Sequence, residues 1–313
     1  MAKLFNLIKN EWMKLWHKKS SWIMVALLVV LLLGVTGIMQ FVSGQMDQGS
    51  SQPSLQQEKA SIEQQLSAKV DPITEKVLKE DLAKIDYQLE NDVETIDPQS
   101  GEQYLIDSYG LLSIVVLMTV IAAAGIVASE FSTGTIKMLL SRPVKRWKIL
   151  ASKYVTSLLF GLFLALVAML TTYLASILFY DASNGVLLDV KDGKVVEISV
   201  MAKVLKLYGL QFITVIVYAT LAFMIGSVFR SSSLAIGLSI FLLFVGPNVV
   251  FFLRDYEITK YFFFTHSDLA MYETPFQVVP DITIGFSLAV LFVYMVLFLL
   301  VSFWSFVQRD VKA

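Results

Sequence analysis

The sequence contains no cysteine and only two histidines, His17 and His266, in 313 residues. That shortage excludes thiolate chemistry, a disulfide scaffold and a Cys/His zinc site. Charge is scarce as well: 16% of residues are Asp, Glu, Lys or Arg, against about 25% in an average soluble domain, while 56% are apolar. A chain this apolar is not disordered, and its 16 glycines follow no collagen-like period. Phosphate-binding loops are missing too. No G-x-x-x-x-G-K-[S/T] occurs, and no G-x-G-x-x-G opens a helix after a strand.

What the sequence has instead is six long runs without a charged residue: Trp22 to Met46, Ser108 to Ser129, Tyr154 to Tyr180, Leu207 to Phe229, Ser231 to Leu253 and Ile282 to Gln308. A helix rising 1.5 Å per residue needs about 20 residues to cross a hydrocarbon core of about 30 Å, so every run is long enough. Porin-type strands would alternate in polarity, and these runs do not. Six such runs are also too many for the buried helices of a soluble protein. The expected fold class is an all-α integral membrane protein with six transmembrane helices, over 21–46, 104–129, 147–180, 207–229, 231–253 and 282–307. A cleaved secretory signal also begins basic and turns apolar, but here the basic region is long and five more runs follow, so an uncleaved first span fits better.

The basic residues fix an expected orientation. With the N-terminus inside, the segments 1–21, 130–153, Arg230 and 309–313 hold 14 Lys and Arg but three acids, Glu11, Glu130 and Asp310; the opposite side holds the other 11 bases and 23 acids. Short-loop Lys and Arg decide topology, so the expectation is N-in and C-in, in a bacterial cell membrane.

Between the spans lie segments of distinct character. Residues 1–20 read as an interfacial amphipathic helix, with Leu4, Phe5, Leu7, Ile8, Trp12, Leu15 and Trp16 on one half and Lys3, Asn6, Lys9, Asn10, Lys14 and His17 on the other. Glu11 is the one misplaced member of the apolar half. Residues 47–103 form an extracellular insertion rich in Gln, Glu, Asp, Lys and Ser, with a capping box at Ser54 and Gln57 and a second helix start at Asp71-Pro72. One apolar stripe per helix predicts a helical hairpin, too thin for a stand-alone core. Within the outer segment 181–206, Leu187 to Ser199 reads as a β-hairpin turning at Lys191-Asp192-Gly193-Lys194. Residues 254–281, with Pro275 and Pro280, are expected outside or re-entering, and Gly246-Pro247 should kink or break the fifth helix.

Catalytic chemistry finds little support. The two histidines fall on opposite sides of the membrane and share no metal, and His266 beside Asp268 reads as a solvated residue of a polar outer loop. No catalytic site is expected of this chain. Ion-coupled carriers place ionisable groups inside the membrane, and the six runs offer none, so any uphill transport draws its energy from a partner. Phe160, Phe163, Tyr173, Phe212 and Phe223 suit an amphiphile path and ordinary packing alike.

One cytoplasmic connection, 130–146, carries a more specific signal. A short helix from about Ser132 to Leu140 presents Ile136, Leu139 and Leu140 on one face; Pro143 ends it, and a new helix from about Val144 runs to Tyr180. A short apolar helix on a rigid stalk can press into a groove on a cytosolic protein. The pattern Glu130-Phe131-x-x-Gly134-Thr135-x-x-x-Leu139-Leu140-x-x-Pro143-x-x-Arg146, with Lys153 beyond it, resembles the signature of ABC-2 family permease subunits of ATP-binding-cassette transporters. The opening Asn10-Glu11-Trp12-x-Lys14-Leu15 is similar to that of bacterial members, nearest the antibiotic-resistance and peptide-export type of Gram-positive bacteria. The resemblance implies an exporter permease for an amphiphilic, peptide, lipid-like or antibiotic substrate. Two copies, or this chain and a related permease, would sit on two copies of a cytosolic ATP-binding subunit that carries the ATP and Mg; no cofactor and no nucleic acid is implied for this chain. Glu130, Phe131, Gly134, Thr135, Ile136, Leu139, Leu140, Pro143, Arg146 and Lys153 would form the coupling element, with Leu139 and Leu140 as plugs, Glu130 and Arg146 as polar anchors and Gly134 allowing close approach or a helix start. Phe5, Ile8, Trp12, Leu15 and Trp16 of the interfacial helix would flank it. The alternative is a membrane sensor or assembly protein with a ligand-binding extracellular helical domain, and a secondary transporter is disfavoured by the uncharged spans.

Overall fold

The computed structural model describes residues 2–46, 54–68, 70, 72–136, 138, 144–191, 193–229, 231–273, 279 and 282–308. Six helices in it are long and apolar enough to cross a membrane. Span 1 is Lys19–Met46, span 3 Arg146–Phe179, span 4 Val200–Val228, span 5 Ser232–Leu253 and span 6 Ile284–Gln308. Span 2 is compound: a helix Gly101–Asp107 passes through a 3-10 turn, Ser108–Leu111, into the helix Leu112–Ser132. The chain is a multi-pass bacterial membrane protein whose remaining helices lie outside the spans.

Spans 2 and 4 form the centre, with 61% and 67% of their most apolar windows buried, against 17% or less for spans 1, 5 and 6. Their closeness has a sequence cause. Ala123, Ala124 and Ala128 on span 2 and Ala219, Ala222 and Gly226 on span 4 are buried small residues, and at Ala124 and Gly226 they let the helix backbones approach where lipid supplies no hydrophobic drive. A Cβ added at Gly226 would lie 2.2 Å from the Ala124 carbonyl oxygen. Polar ties complete the packing: the Tyr208 hydroxyl on span 4 bonds both Ser108 and Thr172 at 2.8 Å, joining spans 2, 3 and 4. Tyr154 on span 3 bonds Thr220 on span 4 at 2.9 Å. Spans 1, 5 and 6 turn apolar side chains such as Ile38, Phe241 and Trp304 outward, as lipid-facing helices do.

Helix starts differ from the sequence reading where a charge belongs to a helix. Span 4 begins at Val200, not 207, because Lys203 and Lys206 are satisfied inside it by Glu273 at 2.8 and 2.5 Å. Burial works to raise the Glu273 carboxyl, but the two lysines together hold it below the usual carboxylate range. Span 5 is not broken at Pro247; its helix continues to Leu253.

The insertion after span 1 holds the helices Leu55–Ser67 and Pro72–Asn91, which pair through Ile62, Leu66, Leu78, Leu82 and Ile85. The Ser54–Gln57 capping box forms in both directions; Asp71 lies outside the described residues. The β-hairpin Leu187–Lys191 with Lys194–Ile198 is antiparallel, with Gly193 at φ +74° in its turn, so the chain is not wholly helical. Residues after Arg254 form short helical turns, one of the two forms expected of them. They form 3-10 turns at Glu257–Tyr261, Phe263–Thr265 and Leu269–Glu273 that fold back between spans 4, 5 and 6; Pro275 and Pro280 lie outside the described residues. Phe263 packs on Tyr218 of span 4 and on Phe298 of span 6, about 20 Å along that helix from its start.

Two glycines of span 4 give opposite expectations. Gly226→Ala forces a methyl against backbone and should cost about 1–3 kcal/mol. Gly209→Ala meets no atom within 4 Å and should stabilise the helix by about 0.5–1 kcal/mol. Thermal midpoints of the two detergent-solubilised variants should therefore move in opposite directions.

Candidate functional site: a buried charge cluster

Span 3 is 34 residues long, about 50 Å, so it exceeds the hydrocarbon core by several turns. Two turns from its start stands Lys153, whose side chain is fully buried. An ammonium withdrawn from water needs opposite charge at hydrogen-bond distance. It finds two carboxylates: Glu11 Oε2 at 2.7 Å and Glu130 Oε1 at 3.0 Å. Glu130 is 5% exposed and also accepts from Lys14 Nζ and from the Thr135 hydroxyl. Four charges of zero net sum thus bind three elements: the N-terminal helix Ala2–His17, the end of span 2 and the start of span 3.

Aromatic packing seats the N-terminal helix on the same span. Trp16 meets Phe163 at 4.9 Å and Phe160 at 6.0 Å, Trp12 meets Phe163 at 6.4 Å, and Leu15 is buried. The amphipathic pattern is therefore used against protein by Trp12, Leu15 and Trp16; of the five residues named for the interface, Phe5 faces out and Ile8 is half-buried. Glu11, which spoiled the apolar half of the helical wheel, points at Lys153. A lone acid on an apolar helix face is the signal by which the cluster could have been found.

Span 2 ends by a defined device. Thr133 caps the helix, its N–H and its hydroxyl both donating to the Ser129 carbonyl, and Gly134 follows at φ +75° with its N–H on the Phe131 carbonyl. A left-handed residue just past a helix is where glycine is favoured, since a Cβ is strained there. Among the described residues nothing lies within 4 Å of a Cβ built on Gly134, so its backbone angle ends span 2 without a close approach, and helical geometry resumes by Ile136.

The other signature residues divide. Glu130, Lys153 and Ile136, the last only 4% exposed, are turned into this chain, so none of them is a surface contact for another protein. Ile136 has the periodicity expected of a docking face but joins the main core. Phe131 packs edge-on against Phe306 of span 6, and Arg146 donates to the Val307 carbonyl at 3.2 Å, a cation at a helix C-terminus. Met138, which sequence reasoning passed over, is 71% exposed. Leu139, Leu140 and Pro143 lie outside the described residues. Beside the cluster a cavity of about 300 Å³ runs to Ser232 and Ile236 at the start of span 5. Among the described residues no group of His, Asp and Glu is placed to hold a metal ion.

His266 is no solvated loop residue. It is fully buried; its Nε2 meets the Lys260 carbonyl at 2.8 Å and its Nδ1 the Ser287 hydroxyl at 2.6 Å. A carbonyl only accepts, so Nε2 carries the proton and Nδ1 accepts from Ser287, which in turn accepts from Tyr272 at 2.5 Å. Burial pushes the imidazole pKa down and keeps the ring neutral. The serine–histidine pair has a carbonyl where a hydrolase places an acid, and both members are sealed from solvent.

Comparison with known proteins gives this architecture a family. A family model described as protein of unknown function, DUF2705, matches residues 73–312. The chain belongs to that family. It is 34% identical over 313 residues to the uncharacterized protein YhcI of Bacillus subtilis (strain 168), covering 98% of this chain and 99% of the relative. It is 27% identical over 212 residues to the uncharacterized membrane protein YdbK of the same organism, covering 67% of this chain and 82% of the relative. The DUF2705 match spans two of the cluster's three elements, those carrying Glu130 and Lys153; the helix bearing Glu11 and Lys14 precedes it.

Two expectations follow for this DUF2705 chain. Lys153→Met leaves two buried carboxylates facing each other and should cost about 3–5 kcal/mol, whereas Lys14→Met removes a half-exposed partner and should cost about 1 kcal/mol or less. Denaturation midpoints of the purified proteins measure both. For His266 the folded pKa lies below the unfolded value of about 6.5, so its contribution is complete above that pH and is lost as pH falls through the folded value. The thermal midpoint should drop on acidification below about pH 6.5, and His266→Gln should remove that part of the slope.

Proposed function

We propose that this chain is the permease subunit of an ATP-driven exporter of the ABC-2 type, oriented with both termini in the cytoplasm, and that residues 133–145 couple it to a separate ATPase subunit. One observation carries the reading. Glu11, Glu130 and Lys153, far apart in sequence and all within the stretches that resemble the family, converge on one point at one end of the spans. The cluster ties both ends of the 133–145 connection, through Glu130 before it and Lys153 after it, to the N-terminal helix. A push on that connection is therefore delivered to spans 2 and 3 together instead of being absorbed by a loose loop. The absence of a phosphate-binding motif from the whole sequence agrees with hydrolysis on a partner.

On this reading the roles shift within the signature. Glu130 and Lys153 hold the coupling segment, Arg146 fastens it to span 6, Gly134 sets where span 2 stops, and Leu139 and Leu140 with exposed Met138 offer the apolar contact. The insertion 47–103 lies on the extracellular side, and a second permease copy completes the path.

Affinity purification of the tagged protein from mildly solubilised native membranes should recover a cytosolic ATPase in stoichiometric amount. Leu139→Asp should abolish that recovery with the permease's thermal midpoint unchanged, since a charge is not tolerated in an apolar socket. Recovery of the permease alone across several mild detergents, or of partners without ATPase activity, would instead favour a sensor or assembly protein.

A further inference from the structure

A second and larger cavity, about 590 Å³, opens between spans 2, 4 and 5 and the re-entrant turns after Arg254. Its volume falls in the range of small-molecule sites, about 300–1,000 Å³. The lining is mostly apolar, with Leu117 from span 2, Leu243 and Phe244 from span 5, and Phe264 and Met271 from the re-entrant turns. Phe264 reaches this place because Gly246 has no side chain; a Cβ there would fall 2.3 Å from the ring.

Several polar residues break the apolar wall, and three of them carry groups left for a ligand. Gln211 and Thr214 lie on the cavity face of span 4, 93% and 95% buried, and neither Gln211 Oε1 nor Thr214 Oγ1 has a hydrogen-bond partner among the described residues. Buried polar atoms without partners are costly and rare in native structures, so such atoms on a cavity wall point to something that fills it. Asp268 is the only charged residue in the lining among the described residues. Its Oδ1 accepts from the Ala270 N–H at 3.0 Å, and no Lys or Arg pairs with it among the described residues. The two lysines near the start of span 4, Lys203 and Lys206, are both taken by Glu273. Asp268 opens on the cavity, where burial raises its carboxyl pKa against the opposing pull of the Ala270 N–H, and a bound cation would offset that desolvation.

We propose that this cavity binds an amphiphilic organic cation, its charge held by Asp268, its polar groups by Gln211 and Thr214, and its apolar body by the aromatic and aliphatic wall. An anion of the same size is repelled by the carboxylate, and a purely apolar molecule leaves three polar groups unmatched. Calling it a transport site rests on the permease reading; binding itself needs no ATPase.

Tetraphenylphosphonium and tetraphenylborate, alike in shape and opposite in charge, test this directly. Binding to the purified full-length chain in uncharged detergent is read by equilibrium dialysis. Tetraphenylphosphonium should bind saturably, Asp268→Asn should weaken it about tenfold or more, and Leu117→Trp, which fills the cavity, should abolish saturable binding while the chain stays monodisperse. Equal binding of tetraphenylborate, absence of saturable tetraphenylphosphonium binding, or affinity unchanged in both variants would overturn the proposal. The permease reading fails separately: a chain that binds the cation but recovers no ATPase loses the exporter assignment and keeps the site.

Discussion

The ammonium of Lys153 cannot stay buried alone, and much of the structure answers to that constraint. A charge of this kind in a low-dielectric interior requires neutralisation at contact distance, and its two carboxylates come from residues 23 and 142 positions away. Bringing Glu130 to it fixes how span 2 meets span 3. Bringing Glu11 to it draws the N-terminal helix out of a purely interfacial position and onto span 3, where Trp12 and Trp16 close over Phe163. Lys14 adds the fourth charge that keeps two carboxylates from repelling each other.

The opposite end of the bundle is organised by different means. There the cross-span ties are neutral hydroxyl pairs such as Thr36 with Tyr104 and Ser108 with Tyr208, and the ionic element is Glu273 gathering two lysines of span 4. The turns after Arg254 bring His266 into the protein interior, where it is neutral and saturated by a carbonyl and a hydroxyl. The charge cluster at one end thus faces an end where hydroxyl pairs join a smaller ionic group, with a cavity at each.

The spans were legible because hydrocarbon excludes charge, and a run of some 20 uncharged residues has few other uses. The same rule misplaced the start of span 4, since Lys203 and Lys206 stopped the run although Glu273 satisfies them within the helix. Periodicity gave Ile136 a face but not the surface it meets; own core and foreign groove look alike in a pattern of apolar residues. Gly134 needed its backbone angle, which no spacing reveals. In sequence His266 and Asp268 look like a polar loop, because their surroundings, Phe263, Phe264 and spans 4 to 6, come from tertiary folding. Glu11 was the exception: a misfit visible in sequence that the structure converts into a contact.

Span 5 is the element that joins the two ends. Its first turns, at Ser232 and Ile236, line the cavity beside the charge cluster, and its later turns, from Leu243 to Val250, line the larger one. Spans 2 and 4 are in backbone contact at Ala124 and Gly226, a spacing with no slack for one to slide without the other. Span 5 is far less buried, and Pro247 removes one hydrogen bond from its ladder within the stretch that borders the larger cavity. That cavity is walled by span 5 and the turns after Arg254 on one side and by the closely packed spans 2 and 4 on the other. Gly246 lets Phe264 lie against span 5 at this point, so the closeness of that wall is fixed by the missing side chain.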